Sequence, residues 1–432
     1  MFETFRKAWK IEDLRKRLLF TLLILVLFRL GCAIPVPYIS AGALTSMFAG
    51  GTGDMLEYLN MMSGGALSEC TLFALGVQPA INASIIMQLL AVAIPYLENL
   101  TKEGEEGQRK MRRITNYVGA GIGLMLSIGY YFIIRNMGAL SYTEGFAGIF
   151  SAVVIVLAFT AGSQLCAWMG NQIDSKGIGN GISLIIMIGI VARLPHALLA
   201  EVNARFQTAS GSAIMLILEL VLLFLVFMAT IALVQAVRKV PVQYAKRIVG
   251  NKQYGGVRQY IPLKMNAANV MPIIFAQALM FIPALFSGTA FAAAFSSMTG
   301  FWYNFTLAVL VIAFTYFYTA IIINPQMMAD DMKRNGGFIP GVKPGKQTVN
   351  YIDTIMTRIT LPGSFFLAIV AILPALAMKF LGIQQAFAYF YGGTSLLIMV
   401  GVVLDTLKQI ESYLLMRHYD GLMKTGRIQG RH

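Results

Sequence analysis

The stretch from Asn60 to Leu97 constrains this chain more than any other. It is almost wholly apolar and far longer than the roughly 20 residues that one membrane crossing needs. Gly76-Val77-Gln78-Pro79 nevertheless breaks it in the middle. Ser63–Leu75 is too short to span, because a dozen or so helical residues reach only about 18 Å at ~1.5 Å each. Pro79 is suited to open a second helix, since the first turn has no need of its N–H, and that helix runs to Pro95. A short half-helix feeding a full helix leaves non-helical backbone at membrane depth. Such backbone is tolerated only where protein or a water-filled cavity surrounds it. The segment therefore belongs to a pore or transport site and not to a passive anchor.

The remainder of the chain agrees. Of 432 residues 57% are apolar and only 12% charged, against roughly 25% charged in a soluble domain. Apolar runs predict ten spans, at about 18–35, 79–97, 115–134, 148–171, 181–200, 213–237, 267–287, 303–324, 359–378 and 388–406. The fold class expected is an all-α polytopic membrane protein. Lys and Arg concentrate in the two termini and alternate loops, whereas the other side holds only Arg135, Arg193, Arg205 and Lys379. That asymmetry predicts both termini inside. Residues 1–17, with Phe2, Phe5 and Trp9 among basic side chains, read as an interfacial amphipathic helix. The first span carries Arg29, lacks a small-x-small cleavage site and ends in Ile-Pro-Val-Pro, so it is not a signal peptide. Cys32, Cys70 and Cys166 read as small packing residues.

Five spans precede the outer loop at 201–212 and five follow it. An odd-numbered half repeated in one chain must be inverted, and inverted halves commonly place a pathway at their interface. By this count the N-terminal half is 18–200, the C-terminal half 213–406 and the tail 407–432. Two inner loops are long. Arg238–Lys264 carries seven basic residues and no acid, interleaved with Tyr244, Tyr254 and Tyr260. Besides its ordinary inside charge, that pattern suits phosphate-rich RNA or an acidic protein surface. Asn324–Arg358 repeats Gly/Pro turn pairs and predicts a folded, protruding docking loop.

Catalytic chemistry is missing from the pattern. His196, His418 and His432 are scattered, and neither HExxH nor paired carboxylates occur, so neither enzyme activity nor a metal or cofactor is expected. Gly177–Ser183 (GIGNGIS) resembles a phosphate loop only superficially, because it opens a membrane span. Away from their ends, and apart from the outer-side Arg193, the spans hold only Arg29 and Glu219 as charged side chains, with Glu69 on the half-helix, which disfavours an ion-coupled carrier. A small-molecule carrier and an insertase or scaffold without a through-pore remain the alternatives. The remaining signal is aliphatic residues beside helix breaks: Val77, Ile81, Ile182, Ile186, Ile274 and Ile398. Singly, each reads as core or lipid-facing; together they predict an apolar constriction that closes by excluding water.

FRLGCAIPVP (28–37), NMMSGGALS (60–68), FALGVQPAINASIIMQLL (73–90), KEGEEGQRK (102–110), GIGNGISLII (177–186), YAKR (244–247), IPLKMNAANVMPIIFA (261–276), NPQMMADDMKRNGGFIPG (324–341), YIDTIMTRIT (351–360) and GGTSLLI (392–398) all resemble signatures of one family. It is the SecY family of protein-conducting channels, which includes the endoplasmic reticulum translocon alpha subunit. The resemblance covers essentially the whole chain. It implies two inverted halves around an hourglass pore in the bacterial cytoplasmic membrane, ringed by the six aliphatic residues above. It further implies a plug made of Ser63, Gly64, Gly65, Ala66, Leu67, Ser68, Glu69, Cys70, Thr71, Leu72, Phe73, Ala74 and Leu75. A lateral gate between spans 2 and 7, carrying Asn82, Ile85, Ile86 and Gln277, is implied to open to lipid. Docking of SecA or the ribosome is implied for Arg238, Lys239, Lys246, Arg247, Lys252, Arg258 and Lys343. The implied partners are SecE and SecG subunits, signal sequences, the nascent polypeptide and membrane lipid, with SecDF and YidC as accessories. Two departures stand out. Lys343 occupies a position where the family motif has arginine, which keeps the charge but loses the bidentate fork, and Val77 replaces the more usual isoleucine.

Overall fold

The computed structural model describes residues 9, 11–40, 60, 63–136, 138–142, 144–207, 213–244, 247–249, 252–254, 258–268, 270–280, 297 and 299–425. Helices dominate: α1 (Glu12–Gly31), α2 (Gln78–Ala93), α3 (Pro95–Lys102), α4 (Glu105–Asn136), α5 (Gly145–Lys176), α6 (Gly181–Gln207) and α7 (Ala213–Gln235). After strands β1 (Val237–Tyr244), β2 (Arg247–Val249), β3 (Lys252–Tyr254) and β4 (Arg258–Lys264) come α8 (Met271–Leu279), α9 (Phe301–Ile322) and α10 (Pro325–Arg334). The series ends with β5 (Gly337–Phe338), α11 (Lys346–Leu381), α12 (Gln385–Ala388) and α13 (Gly393–Thr425).

Seven helical stretches among the described residues are long and apolar enough to cross a membrane, and the bent pair α2–α3 makes an eighth candidate. Of the other two expected spans, the first corresponds to α1, which carries Arg15, Lys16, Arg17 and Arg29 along its length. The seventh begins at α8 and continues into 281–287, outside the described residues. Several helices outrun their expected spans. α4 and α5 have 32 residues each and α11 has 36, so at ~1.5 Å per residue they project well beyond a ~30 Å hydrocarbon core. α6 likewise continues to Gln207, so the first part of the expected outer loop is helical, and 208–212 lie outside the described residues.

Internal packing divides the chain into two units. The first comprises Met1–His196 with Val402–His432. Here α2, α4 and α5 approach through small residues, the route by which membrane helices gain van der Waals contact. A Cβ at Gly123 would lie 3.0 Å from Ser163 Oγ, and one at Gly119 would lie 3.5 Å from Ala83 Cβ. The 177–180 turn binds α1 to the second half of α13. Ile178 N–H donates to Thr21 Oγ1 at 3.0 Å and Gly179 N–H to Gln409 Oε1 at 2.8 Å. Gly181 and Ser183 N–H donate to Asp174 and Asn180 side chains. These amides are occupied by protein acceptors, which removes the basis for phosphate cradling in this glycine-rich turn.

The second unit is Ala197–Gly401. Its core gathers Ile273, Ala276, Leu307, Val311, Leu367, Val370, Leu396 and Leu397 from α8, α9, α11 and α13. A polar pin closes one end. Arg205 Nε meets Glu201 Oε1 at 2.9 Å, while Arg205 Nη2 meets Glu219 Oε1 at 2.6 Å and donates to the Leu381 carbonyl at 2.7 Å. Glu201 Oε2 accepts from Gln384 N–H at 2.8 Å, and both glutamates are buried. The basic inner loop departs from the all-α expectation. β1 pairs antiparallel with β4, from Val237↔Lys264 to Gln243↔Arg258, and β5 adds to the other edge of β1. Val240, Val242 and Leu263 pack against Met332, Ile339, Ile352 and Met356 from the second inner loop and α11. The two long loops thus share one small core.

Candidate pore closure

The segment expected as a plug half-helix is instead a succession of turns. The cause lies in the backbone. Gly64, Gly65 and Gly76 have φ of +69°, +95° and +52°, and Cys70 has +48°, so no regular helix runs through them. Hydrogen bonds from short polar side chains hold the turns together. Ser68 N–H donates to Asn60 Oδ1 at 2.9 Å, Leu67 N–H to Ser63 Oγ at 3.2 Å, and Ser63 Oγ to the Asn60 carbonyl at 3.0 Å.

Three further sets of contacts seat the segment in the first unit. The chain after α1 forms a bridge to it, Pro35↔Thr71, with Val36 N–H donating to Cys70 O at 3.0 Å and Leu72 N–H to Ile34 O at 2.9 Å. Tyr130 of α4 donates its hydroxyl to the Leu67 carbonyl and sits 3.3 Å from Cys70 Sγ. Phe73 stacks on Phe28 of α1 at 5.6 Å between centroids. Leu67, Cys70 and Ala74 join a buried cluster with Tyr130, Ile134, Ile155 and Phe159. Space is tight: a Cβ at Gly31 would overlap the Phe73 ring, and one at Gly162 would overlap the Leu72 carbonyl. Glu69 alone of the segment is exposed. Two arginines approach its first turn, Arg29 Nη1 at 3.5 Å from Gly64 O and Arg193 Nη2 at 3.3 Å from Ser68 Oγ. The sequence flagged Arg29 as an intramembrane charge. Tyr130 and Arg193 gave no comparable sign, Arg193 having been counted only as an outer-side charge.

Of the six aliphatic residues four are buried and two half-buried. Val77 and Ile81 flank the first turn of α2, with Ile81 N–H donating to Val77 O at 3.0 Å, and both are buried. On α6 Ile186 is buried and Ile182 half-buried, packed 3.0 Å from the position a Cβ would take on Gly170. In the second unit Ile274 is half-buried on α8 and Ile398 buried on α13. A cavity of about 700 Å³ lies among α2, α4, α5 and the start of α6. Ser84, Gln88, Thr115, Asn116, Gln164 and Asn171 line it, and Ile182 borders it. Arg112 and Asp174 line it as well, so the recess suits water.

Among the gate residues, Asn82 is half-buried, Ile85 buried and Ile86 exposed, and Ile86, Leu90 and Ile94 continue an exposed apolar stripe along α2. Gln277 on α8 is half-buried, and its Oε1 has no hydrogen-bond partner among the described residues. Of the docking residues, Arg238 and Lys239 are exposed on β1, and Lys343 is exposed in the second loop, its carbonyl accepting from Thr348 Oγ1 at 3.0 Å. The backbones of Arg247, Lys252 and Arg258 lie in β2, β3 and β4, and Lys246 lies outside the described residues.

Comparison with known proteins converges on one family. The SecY family model matches residues 71–407. The chain is 39% identical to a protein translocase subunit SecY of Mycobacterium bovis and 42% identical to that of Halalkalibacterium halodurans, in each case over 98% of this chain and all of the relative. Among solved structures, a protein-conducting channel superposes with a TM-score of 0.64 at 18% identity, covering 96% of this chain and 95% of that one. A SecY whose plug domain stabilises the closed translocation channel and maintains a membrane seal gives 0.62 at 18% identity and the same coverage. Sec61 in the canine ribosome–channel complex gives 0.60 at 17%, again with that coverage. The chain belongs to the SecY family.

Proposed function

We propose that this chain is the pore-forming subunit of a channel that passes unfolded secretory polypeptides across the bacterial cytoplasmic membrane and is not itself an enzyme. The observation that carries the reading is the seated, non-helical segment 63–75. It is seated against α1, α4 and α5 and is held largely through backbone carbonyls, small side chains and apolar packing. Such a closure is displaceable, because the contacts named above are hydrogen bonds to neutral oxygens and apolar packing. The closed state then has two seals. Val77, Ile81, Ile182, Ile186, Ile274 and Ile398 form a ring that excludes water, and the plug covers it. A chain in transit presents every side-chain type, so a weakly interacting aliphatic gasket passes all of them where a selective site would stall.

In this reading the chain forms two inverted halves with both termini cytoplasmic. α2 and α8 border a lateral gate, and the apolar stripe Ile86–Leu90–Ile94 receives a signal sequence before it moves to lipid, a transfer favoured by its own apolarity. The shared core under β1, β4 and the second inner loop presents Arg238, Lys239 and Lys343 to SecA or the ribosome, and Lys246, Arg247, Lys252 and Arg258 of the same basic loop add charge to that docking. SecE and SecG complete the channel; SecDF and YidC act beside it. Photo-crosslinkers placed at positions 81, 186, 274 and 398 test the ring. A stalled secretory chain should form adducts at all four; adducts on one helix only would mean that these residues do not share a pore.

A further inference from the structure

Resting on the plug reading, we infer that Arg193, assisted by Arg29, is the residue that sets how strong a signal sequence must be to open this channel. The second half of the plug is anchored by backbone pairing to 34–36, by Tyr130 and by apolar packing. The first turn is held differently. Gly64 and Gly65 adopt left-handed conformations, and a guanidinium lies against each. A Cβ at Gly65 would fall on Arg193 itself, and one at Gly64 would fall 2.8 Å from Arg29 Nη1 and 3.0 Å from Gly189 Cα. Arg193 reaches from α6 to Ser68 Oγ at 3.3 Å and Arg29 from α1 to the Gly64 carbonyl at 3.5 Å. Two cations from two helices thus grip a single turn, and glycine at 64 and 65 is what lets them approach.

The grip has the properties a threshold needs. The contacts to Ser68 Oγ and to the Gly64 carbonyl go to neutral oxygens at the long end of hydrogen-bond distance, so each biases the closed state without by itself locking it. They act on the first turn of the plug, while the backbone bridge at Thr71 retains the other end. Loss of the Arg193 contact should raise the population of channels with a displaced plug about tenfold, equivalent to about 1.4 kcal/mol. An incoming signal with less apolar transfer energy then suffices. Arg193 is in this sense a positioning residue for the plug and a determinant of substrate stringency.

The test uses the full channel complex in proteoliposomes and planar bilayers, with variants R193M, R193K, S68A, R193M/S68A and a deletion of 63–75. The readouts are resting conductance and the ratio of export of a weakened-signal reporter to that of the same reporter with an intact signal. R193M should raise the ratio about tenfold, R193K less, and S68A in the same direction, with the double variant little beyond R193M alone. If the deletion conducts but R193M and S68A match wild type, the latch is refuted and the plug stands. If the deletion is as tight as wild type, the plug reading fails and takes the latch with it. Additive effects of R193M and S68A would show that Arg193 acts through helix packing and not on the plug, which also overturns the inference. Should R193M not accumulate in the membrane, R193K and S68A decide by the same criteria.

Discussion

Replacing Arg205 with Met should destabilise the second unit more than removal of either carboxylate it pairs with. The guanidinium spans Glu201, Glu219 and the Leu381 carbonyl, linking the ends of α6 and α11 to α7. Both glutamate side chains are only 1% exposed, so Met at 205 strands two carboxylates where water does not reach them. Breaking a buried pair by removing one partner costs about 3–5 kcal/mol, and the orphaned Leu381 carbonyl adds about 1 kcal/mol. For a unit of roughly 200 residues, in which 1 kcal/mol shifts Tm by about 2–4 °C, the midpoint should fall by about 8–24 °C. Two carboxylates share one arginine, so E219Q leaves the Arg205–Glu201 pair intact and should cost about 1 kcal/mol or less. The triple variant R205M/E201Q/E219Q removes the stranded charge and should recover most of the loss. Thermal unfolding of the detergent-solubilised complex measures all three. An R205M midpoint within about 3 °C of wild type would refute the reasoning, as would a triple variant no better than R205M.

Ile81 and Ile274 replaced together by Ser should wet the constriction, raising resting conductance and the export of weak-signal substrates; unchanged values would place both in the packed core instead. K246E/R247E should weaken ribosome co-sedimentation at least tenfold while leaving membrane insertion intact, and wild-type binding should fall steeply across a salt series; a flat salt response returns the loop to orientation alone. G162V should displace Leu72, because a Cβ there overlaps its carbonyl, and crosslinking between cysteines placed on the plug and on α5 reads the shift; retained wild-type yield would show that α5 moves instead.

That Ser63–Leu75 stays in the fold without crossing was legible through arithmetic: the segment is too short to cross and too apolar to leave. Its form was not, because whether Gly64, Gly65 and Cys70 take positive φ depends on what packs around them. The i,i+4 pairs Val77/Ile81 and Ile182/Ile186 were legible because helix geometry places such residues on one face. The strands of the basic loop were hidden because only Val240 and Val242 alternate inward, with Arg238, Lys239 and Pro241 outward, too short a pattern to signal a strand amid so much charge. Burial on one face only appears once the second inner loop covers it. The Glu201–Arg205–Glu219 pin joins residues that the sequence assigned to an outer loop and a span, and only the folded chain brings them together. Contacts over long separations, such as Arg193 to Ser68 and Tyr130 to Leu67, leave no local trace.

Single-channel recording reads out whether segment 63–75 closes a through-pore. Purified complex lacking 63–75 is fused into planar bilayers beside wild type, and the same preparations are assayed for secretory protein import into vesicles. The account predicts frequent ion-conducting openings at rest in the deletion, near-silence in wild type, and protein import retained in both. A deletion that imports protein yet is as silent as wild type would contradict it.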